Sequence, residues 1–254
     1  MTTARRATFE GMIAELVPIP GHNNDTIYGY LARPLGPGPY PGVVVIHHAP
    51  GWDEGTKEIT RKLAAHGYNA ICPNLYHRED PADPVAAAAA TRAAGGVPDA
   101  RCLGDVQGAV EFLKSLLSCN QKVGVIGYCS GGRQTYLVAC NLPGIAAAID
   151  CYGGRVVAAA EQLSARQPVA PIEMSANLAC PLLGLFGADD LSPSPKDVAQ
   201  TEAVLKRLGK TYEFHTYEGA GHSFFSSDRP AYRQAAAADG WERVFAWYGK
   251  YLSS

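Results

Sequence analysis

The stretch Lys122–Cys140, KVGVIGYCSGGRQTYLVAC, joins an apolar run to a second segment through the pentapeptide GYCSG, residues 127–131. The apolar run predicts a buried strand, and the residues that follow it predict a helix. So sharp a turn leaves no room for a side chain two positions before or after its centre, which explains glycine at both places. The stretch therefore predicts a nucleophile elbow with the thiol of Cys129 at its apex. A phosphate-binding loop is a poor alternative, because Arg133-Gln134 stands where lysine and serine or threonine are needed.

On both sides of this stretch, strand-like apolar runs alternate with helix-like segments. A hairpin, GMIAELVPIP and TIYGYLARPL, precedes this alternation. Two Ala/Pro-rich inserts, residues 79–100 and 155–179, predict short helices and loops over one end of the sheet. This pattern predicts an α/β fold with a mostly parallel sheet and helices on both faces. The predicted strands after the hairpin are PGVVVIHHAPG, YNAICPNLY, KVGVIGY, IAAAIDCYGG, PLLGLFGADD and TYEFHTYEG.

The composition limits the class of protein. The chain has 254 residues, is 47% hydrophobic and carries a formal net charge of −2, which predicts one domain over residues 1–254 without a bias toward nucleic acid. The N-terminus has no apolar segment of the signal-peptide type, and no run is long enough for a membrane span, so we expect a cytoplasmic protein. The seven cysteines include no CxxC pair, which argues against a disulfide framework and a zinc site.

The other parts of a catalytic site are expected beyond the carboxyl ends of the parallel strands. His222, in YEGAGHSFF, follows the last predicted strand and is flanked by small residues, so it is the candidate base. The segment FGADDLSP ends the strand before it with two adjacent carboxylates, of which one can face His222. Asp189, nearer the strand end, is the preferred acid, and Asp190 is the alternative. The resulting order of nucleophile, acid and histidine is that of α/β-hydrolases.

Four segments, VGVIGYCSGG, GYNAICPNLY, FGADDLSPSP and YEGAGHSFF, resemble the dienelactone hydrolase (carboxymethylenebutenolidase) family, and the resemblance extends over nearly the whole chain. It implies an eight-stranded α/β-hydrolase fold in which Cys129 is the nucleophile, His222 the base and Asp189 the acid that orients it. It also implies hydrolysis of a small-molecule lactone or ester through a thioester, without a metal or an organic cofactor. We expect no nucleic-acid or membrane partner, and the oligomeric state, monomer or dimer, stays open.

The tetrahedral intermediate of such a reaction needs two preorganised donors for its oxyanion. The backbone N–H groups of Ser130 and Ala49 are the candidates. An anionic substrate would need a cation near the site, for which Arg78 is the preferred residue and Arg92, Arg101 and Arg155 are alternatives. The residues predicted to contact the substrate are His48, Trp52, Arg78, Tyr152 and Phe224.

At one position the chain departs from the family. His48 occupies the place of a glutamate that contacts the resting cysteine in the family. A carboxylate beside a thiol disfavours the thiolate, so its absence predicts a standing ion pair between Cys129 and His222. His47 and His48 are not expected to bind a metal together, since neighbouring residues of a strand point to opposite faces.

Alternative functions use the same activated thiol. A promiscuous short-chain esterase or thioesterase would share the whole mechanism. A thiol-redox protein would need a resolving cysteine, for which Cys151 is the one candidate at a strand end near the elbow. A non-catalytic binding protein would be expected to have lost part of the triad, whereas this chain keeps all its parts.

Overall fold

The computed structural model of the protein describes residues 11–80 and 82–253. Residues 1–10, on which the prediction about a signal peptide largely rests, lie outside the described residues. The described residues contain one sheet of eight strands. The strands are β1 (Met12–Pro20), β2 (Thr26–Pro34), β3 (Tyr40–Ile46), β4 (Asn69–Pro73), β5 (Cys119–Tyr128), β6 (Ile145–Cys151), β7 (Leu182–Gly187) and β8 (Tyr212–Tyr217).

The strand order is β1-β2-β4-β3-β5-β6-β7-β8. The β1–β2 hairpin is antiparallel, and β2 also pairs antiparallel with β4. All pairs from β4 to β8 are parallel. The predicted hairpin and mostly parallel sheet are therefore confirmed.

The central strands are buried on both faces. Their residues read as continuous apolar runs, such as VVVI in β3 and LLGLFG in β7, because helices cover the sheet from either side. The helices of the described part are α1 (Glu54–Ala65), α2 (Pro84–Ala93), α3 (Asp99–Ser115), α4 (Ser130–Asn141), α5 (Pro195–Arg207) and α6 (Gln234–Tyr251).

Two hydrophobic cores lie on opposite faces of the sheet. One contains apolar residues of α3, α4 and α5, such as Val106, Tyr136 and Leu205. The other contains residues of α1 and α6, such as Leu63 and Val244. Alternate side chains of β3 divide between them, with Val44 in the first core and Val45 in the second.

The two Ala/Pro-rich inserts form the predicted short elements. The first contains α2, and the second contains 3₁₀ turns at Ala160–Gln162 and Pro171–Asn177. No helix within residues 11–80 or 82–253 combines the length and apolar character needed to cross a bilayer.

Candidate active site

Cys129 lies between the end of β5 and the first residue of α4, in backbone that only a strained turn adopts. Its φ is 57° and its ψ is −119°. A Cβ on Gly127 would lie 2.0 Å from the carbonyl oxygen of Gly131, and a Cβ on Gly131 would lie 2.2 Å from that of Ile46. Both glycines of the motif are thus required by close backbone contacts, and the sharp turn expected at Cys129 is present.

The thiol of Cys129 is the most accessible of the seven. The other six cysteines are buried, whereas Cys129 is partly exposed. Burial raises the pKa of the Cys151 thiol well above its usual value, so the neighbouring cysteine is not activated. This difference singles out Cys129 as the reactive thiol.

His222 hydrogen-bonds to the Cys129 sulfur, and its other ring nitrogen contacts a carboxylate. The distance from His222 Nδ1 to Asp190 Oδ2 is 2.8 Å. Burial works to lower the pKa of His222, but the bonds to Asp190 and Cys129 outweigh it and raise the pKa to about 10. Tyr152 supports the imidazole with its ring edge-on, at a centroid distance of 5.1 Å.

The carboxylate that faces His222 belongs to Asp190, which corrects the preference for Asp189. β7 ends at Gly187, and the chain then turns, with the N–H of Asp190 donating to the carbonyl of Gly187. This turn buries Asp190, which is 3% exposed, and leaves Asp189 exposed. Proximity to the strand end does not predict which carboxylate faces His222, because the backbone is no longer extended after Gly187.

Backbone amides of both predicted oxyanion residues point at the Cys129 sulfur. The N–H groups of Ala49 and Ser130 donate to it, as does His222. Burial raises the pKa of Cys129, but His222 and these amides lower it by a larger amount, so the pKa lies below its usual value. The arrangement therefore favours a thiolate beside a protonated imidazole.

The five residues predicted to contact the substrate lie in different environments. Arg78 forms ion pairs with Asp25 at 2.8 Å and with buried Asp105 at 2.9 Å. These pairs correct its assignment to a substrate carboxylate. Neither partner could be foreseen, because both lie far from Arg78 in the sequence.

The two aromatic residues Trp52 and Phe224 belong to the core on the α1 and α6 side. The indole N–H of Trp52 donates to the carbonyl of Cys72 at 3.0 Å. Phe224 is fully buried, with no surface left for a ligand. Both are packing residues rather than substrate contacts, whereas Tyr152, also buried, acts on the site through His222.

The alternative arginines also have partners. Arg101 pairs with Glu79 at 2.7 Å, and Arg155 hydrogen-bonds to the side chain of Gln167. Arg92 alone among them lies at the oxyanion loop, where it donates to the carbonyl of Ala49 at 3.1 Å.

His48 pairs with a carboxylate that the sequence did not place there. Its Nε2 lies 2.6 Å from Oδ2 of Asp53, the N-cap of α1. Although Asp53 follows the Pro-Gly turn, it folds back onto the histidine, and the pKa of its carboxyl is low because His48 and Thr56 outweigh the effect of burial. The carboxylate thus pairs with His48 and is not among the main influences on the Cys129 thiol.

A pocket of about 280 Å³ lies between α1 and the start of α6. Its walls include His48 and Tyr128, which precede Ala49 and Cys129 in the chain, and the aromatic rings of Phe225 and Trp241. Glu58, Lys62 and Asp228 lie among its walls. Within the described residues, no cluster of three or more His, Cys, Asp or Glu side chains is suited to a metal ion.

The strand order, the elbow after β5 and the histidine after β8 define an α/β-hydrolase fold. The sequence profile described as "Dienelactone hydrolase family" matches residues 27–252, and the chain belongs to that family. The predicted enzyme class, a hydrolase of the dienelactone hydrolase type, is thereby confirmed.

Individual relatives agree with this assignment. The chain is 34% identical over 244 residues to a Methylorubrum extorquens protein named "Putative carboxymethylenebutenolidase", covering 95% of this chain and 82% of the relative. It is 29% identical to a Bradyrhizobium protein named "Probable 2-oxo-3-(5-oxofuran-2-ylidene)propanoate lactonase", covering 88% of this chain and 89% of that protein. A crystal structure from Klebsiella pneumoniae, described as a "Putative Dienelactone Hydrolase", superposes with a TM-score of 0.85 at 32% identity and covers 95% of this chain and 100% of its own.

Proposed function

We propose that this protein hydrolyses a lactone or carboxylic ester of a small molecule through a thioester on Cys129. The observation that carries the proposal is the position of Cys129 at the strained turn before α4, with His222 held 2.8 Å from Asp190, where hydrogen bonds from His222 and the amides of Ala49 and Ser130 lower the pKa of the thiol. The names of the relatives, a carboxymethylenebutenolidase and a lactonase, support a lactone as the substrate.

In the acylation step, the Cys129 thiolate attacks the carbonyl carbon and the carbonyl oxygen becomes negative. The amides of Ala49 and Ser130 are preorganised to bind that oxygen. Collapse of the intermediate breaks the C–O bond, and the protonated His222 gives its proton to the departing alkoxide or enolate. In a lactone this leaving group stays tethered to the acyl chain.

In the deacylation step, His222 is neutral and removes a proton from a water molecule that attacks the thioester. Asp190 stabilises the imidazolium that forms and holds its ring in place. The tetrahedral intermediate expels the Cys129 thiolate and releases a carboxylic acid, which ionises. The enzyme returns to the thiolate and imidazolium pair with which it began.

Short-chain ester and thioester hydrolysis remain alternatives within the same mechanism, because they need the same groups. The structure favours hydrolysis over a thiol-redox cycle. Cys151, the candidate resolving cysteine, is fully buried, and its thiol pKa lies well above the usual value.

The central test is the replacement Cys129→Ala. We expect it to abolish hydrolysis of p-nitrophenyl acetate and of a dienelactone while the thermal unfolding temperature stays close to that of the wild type. In the wild type, iodoacetamide should modify Cys129 faster than the six buried cysteines, as mapped by peptide mass spectrometry. An active Cys129→Ala protein, or equal labelling of all seven thiols, would refute the mechanism.

A further inference from the structure

The peptide unit between His48 and Ala49 carries one of the two amides that point at Cys129. In a trans peptide the C=O and N–H groups point to opposite sides, so fixing the oxygen also fixes the N–H. The carbonyl of His48 accepts two hydrogen bonds, one with His47 Nδ1 at 3.0 Å and one from the N–H of Gly51 at 3.0 Å. The opposite side of the unit presents the Ala49 N–H to the Cys129 sulfur.

The partners of His47 determine its tautomer. Because a carbonyl oxygen can only accept, Nδ1 must carry the proton toward His48. The N–H of Leu75 donates to Nε2 at 3.3 Å, so Nε2 must be unprotonated. A neutral ring is also what burial enforces, since the side chain is 1% exposed and burial lowers the pKa of His47 to about 4.

The following carbonyl, that of Ala49, is also held from two sides. The Tyr76 hydroxyl donates to it at 3.1 Å and Arg92 Nη1 at 3.1 Å. The ring of Tyr76 packs edge-on against that of His47 at a centroid distance of 4.5 Å. Ala49 therefore lies between two anchored carbonyls, and its N–H has little freedom to turn away from the sulfur.

We propose that His47 and Tyr76 are positioning residues that hold the Ala49 amide in its oxyanion-binding orientation, with Arg92 as a third anchor. Neither side chain is needed as a proton donor or acceptor to the substrate. The hydrogen bond from His47 also polarises the peptide unit and strengthens its N–H as a donor. This inference rests on the proposed function, in which the Ala49 amide binds the developing oxyanion.

Two replacements separate the halves of the His47 ring. In His47→Asn the side-chain amide nitrogen can occupy the place of Nδ1 and still donate to His48, but Leu75 loses its acceptor. In His47→Gln the longer side chain can reach Leu75, but the donor to His48 is lost. The measurements are kcat and KM for p-nitrophenyl acetate, the thermal unfolding temperature, and thiolate absorbance at about 240 nm against pH.

We expect His47→Gln to lower kcat by about 10–100-fold with KM within about 2-fold, since the amide contributes in the transition state. His47→Asn should keep kcat within about 3-fold of wild type, although its unfolding temperature should fall at least as far as that of His47→Gln. In His47→Gln the pKa of Cys129 should also rise, because the Ala49 amide is no longer held in place as a donor to the thiolate. If the variant with the larger loss of unfolding temperature also showed the larger loss of kcat, the proposal would be overturned and His47 would be a merely structural residue.

Tyr76→Phe gives a second, isosteric test that holds even if a His47 variant fails to fold. It should lower kcat by about 2–10-fold without raising KM and should raise the Cys129 pKa. Unchanged kcat and thiolate titration in this variant would remove Tyr76 from the proposal. If the wild type hydrolyses no ester or lactone, the proposed function fails, whereas a raised thiolate pKa in His47→Gln would still support the positioning of the amide.

Discussion

Asp189 and Asp190 are neighbours in the chain but lie in different environments. Asp190 is buried, contacts His222 and accepts a hydrogen bond from the N–H of Ser192 at 2.8 Å, whereas Asp189 is exposed. The ring of His222 is therefore oriented by the carboxylate of Asp190 alone of the two. A buried ion-paired acid of this kind cannot be replaced by its exposed neighbour.

We predict that Asp190→Asn lowers kcat for p-nitrophenyl acetate by about 10²–10⁴-fold, as removal of a triad acid does. The charge that stabilises the His222 imidazolium is lost, and the imidazole can adopt the wrong tautomer. Asp189→Asn is the matched control and should change kcat by less than about 3-fold. A larger loss in the Asp189 variant would show that the loop rearranges during turnover.

The thiol and imidazole of the site shift each other's pKa in opposite directions. The pKa of Cys129 lies below and that of His222, at about 10, lies above the usual value, so both groups are charged between the two pKa values. The carboxylate of Asp53 is paired with His48 and is not among the main influences on the thiol. The predicted standing ion pair has this electrostatic basis.

We predict that wild-type Cys129 titrates below the ordinary thiol value of about 8.5, measured by thiolate absorbance at about 240 nm. His222→Gln should move the titration upward, since the cation that favours the thiolate is removed. Hydrogen peroxide should inactivate the wild type faster than the His222 variant loses its free thiol, because oxidation follows thiolate content. A wild-type midpoint near the ordinary value would exclude the ion pair.

At the scale of elements, most of the fold could be predicted from the sequence because its signals are local. Apolar runs mark the buried strands, glycines mark the elbow, and the alternation of strands and helices implies a parallel sheet. The failures involve side-chain contacts that no local pattern encodes. Arg78 meets Asp25 and Asp105, which lie far from it in the sequence. His48 meets the nearby Asp53 because the chain folds back after the Pro-Gly turn.

The contact between α4 and the end of β3 aligns the two oxyanion amides. Gly131 lies in the first turn of α4, and its α-carbon faces the carbonyl of Ile46 so closely that a Cβ there would lie 2.2 Å from the oxygen. Since neither group is at the end of a flexible side chain, a larger residue must push the helix and the strand apart. That movement would separate the Ser130 amide from the Ala49 amide.

We predict that Gly131→Ala abolishes measurable hydrolysis and lowers the free energy of unfolding by about 3 kcal/mol or more, since backbone must move. Gly249→Ala is the control, because a Cβ added to this exposed glycine of α6 would meet no neighbouring group within 4 Å. It should leave hydrolysis unchanged and stabilise the protein by up to about 1 kcal/mol through helix propensity. Urea unfolding followed by circular dichroism gives both values, and a stable, active Gly131→Ala protein would contradict the argument.

At the scale of the whole molecule, the parallel sheet brings distant parts of the chain to one edge. Cys129 follows β5, Asp190 follows β7, His222 follows β8 and Ala49 follows β3. Strand β6 lies between β5 and β7, and its penultimate residue, near the same edge, is Asp150. This carboxyl is 2% exposed and accepts a hydrogen bond from the N–H of Gly153 at 2.8 Å. Within residues 11–80 and 82–253 it has no ion-pair partner.

Asp150 should therefore make the stability of the whole molecule depend on pH. Burial raises the pKa of its carboxyl to about 7 in the folded protein, whereas the unfolded chain releases this proton near pH 4. Between these values the unfolded state binds fewer protons, so the contribution of Asp150 to stability is complete below pH 4 and decreases as pH rises to 7. Linkage gives a slope of about −1.4 kcal/mol per pH unit and a total loss of about 4 kcal/mol.

The replacement Asp150→Asn keeps an oxygen for the Gly153 N–H and removes the titration. We predict that its free energy of unfolding, measured in urea from pH 4 to pH 8, lacks this slope, so that the variant gains on the wild type as pH rises. Comparing the two proteins cancels the contributions of the other titrating groups, including Cys129 and His222, because these are common to both. Parallel stability curves would mean that Asp150 is ionised in the folded protein, stabilised by a charge or a solvent contact beyond its bond to Gly153.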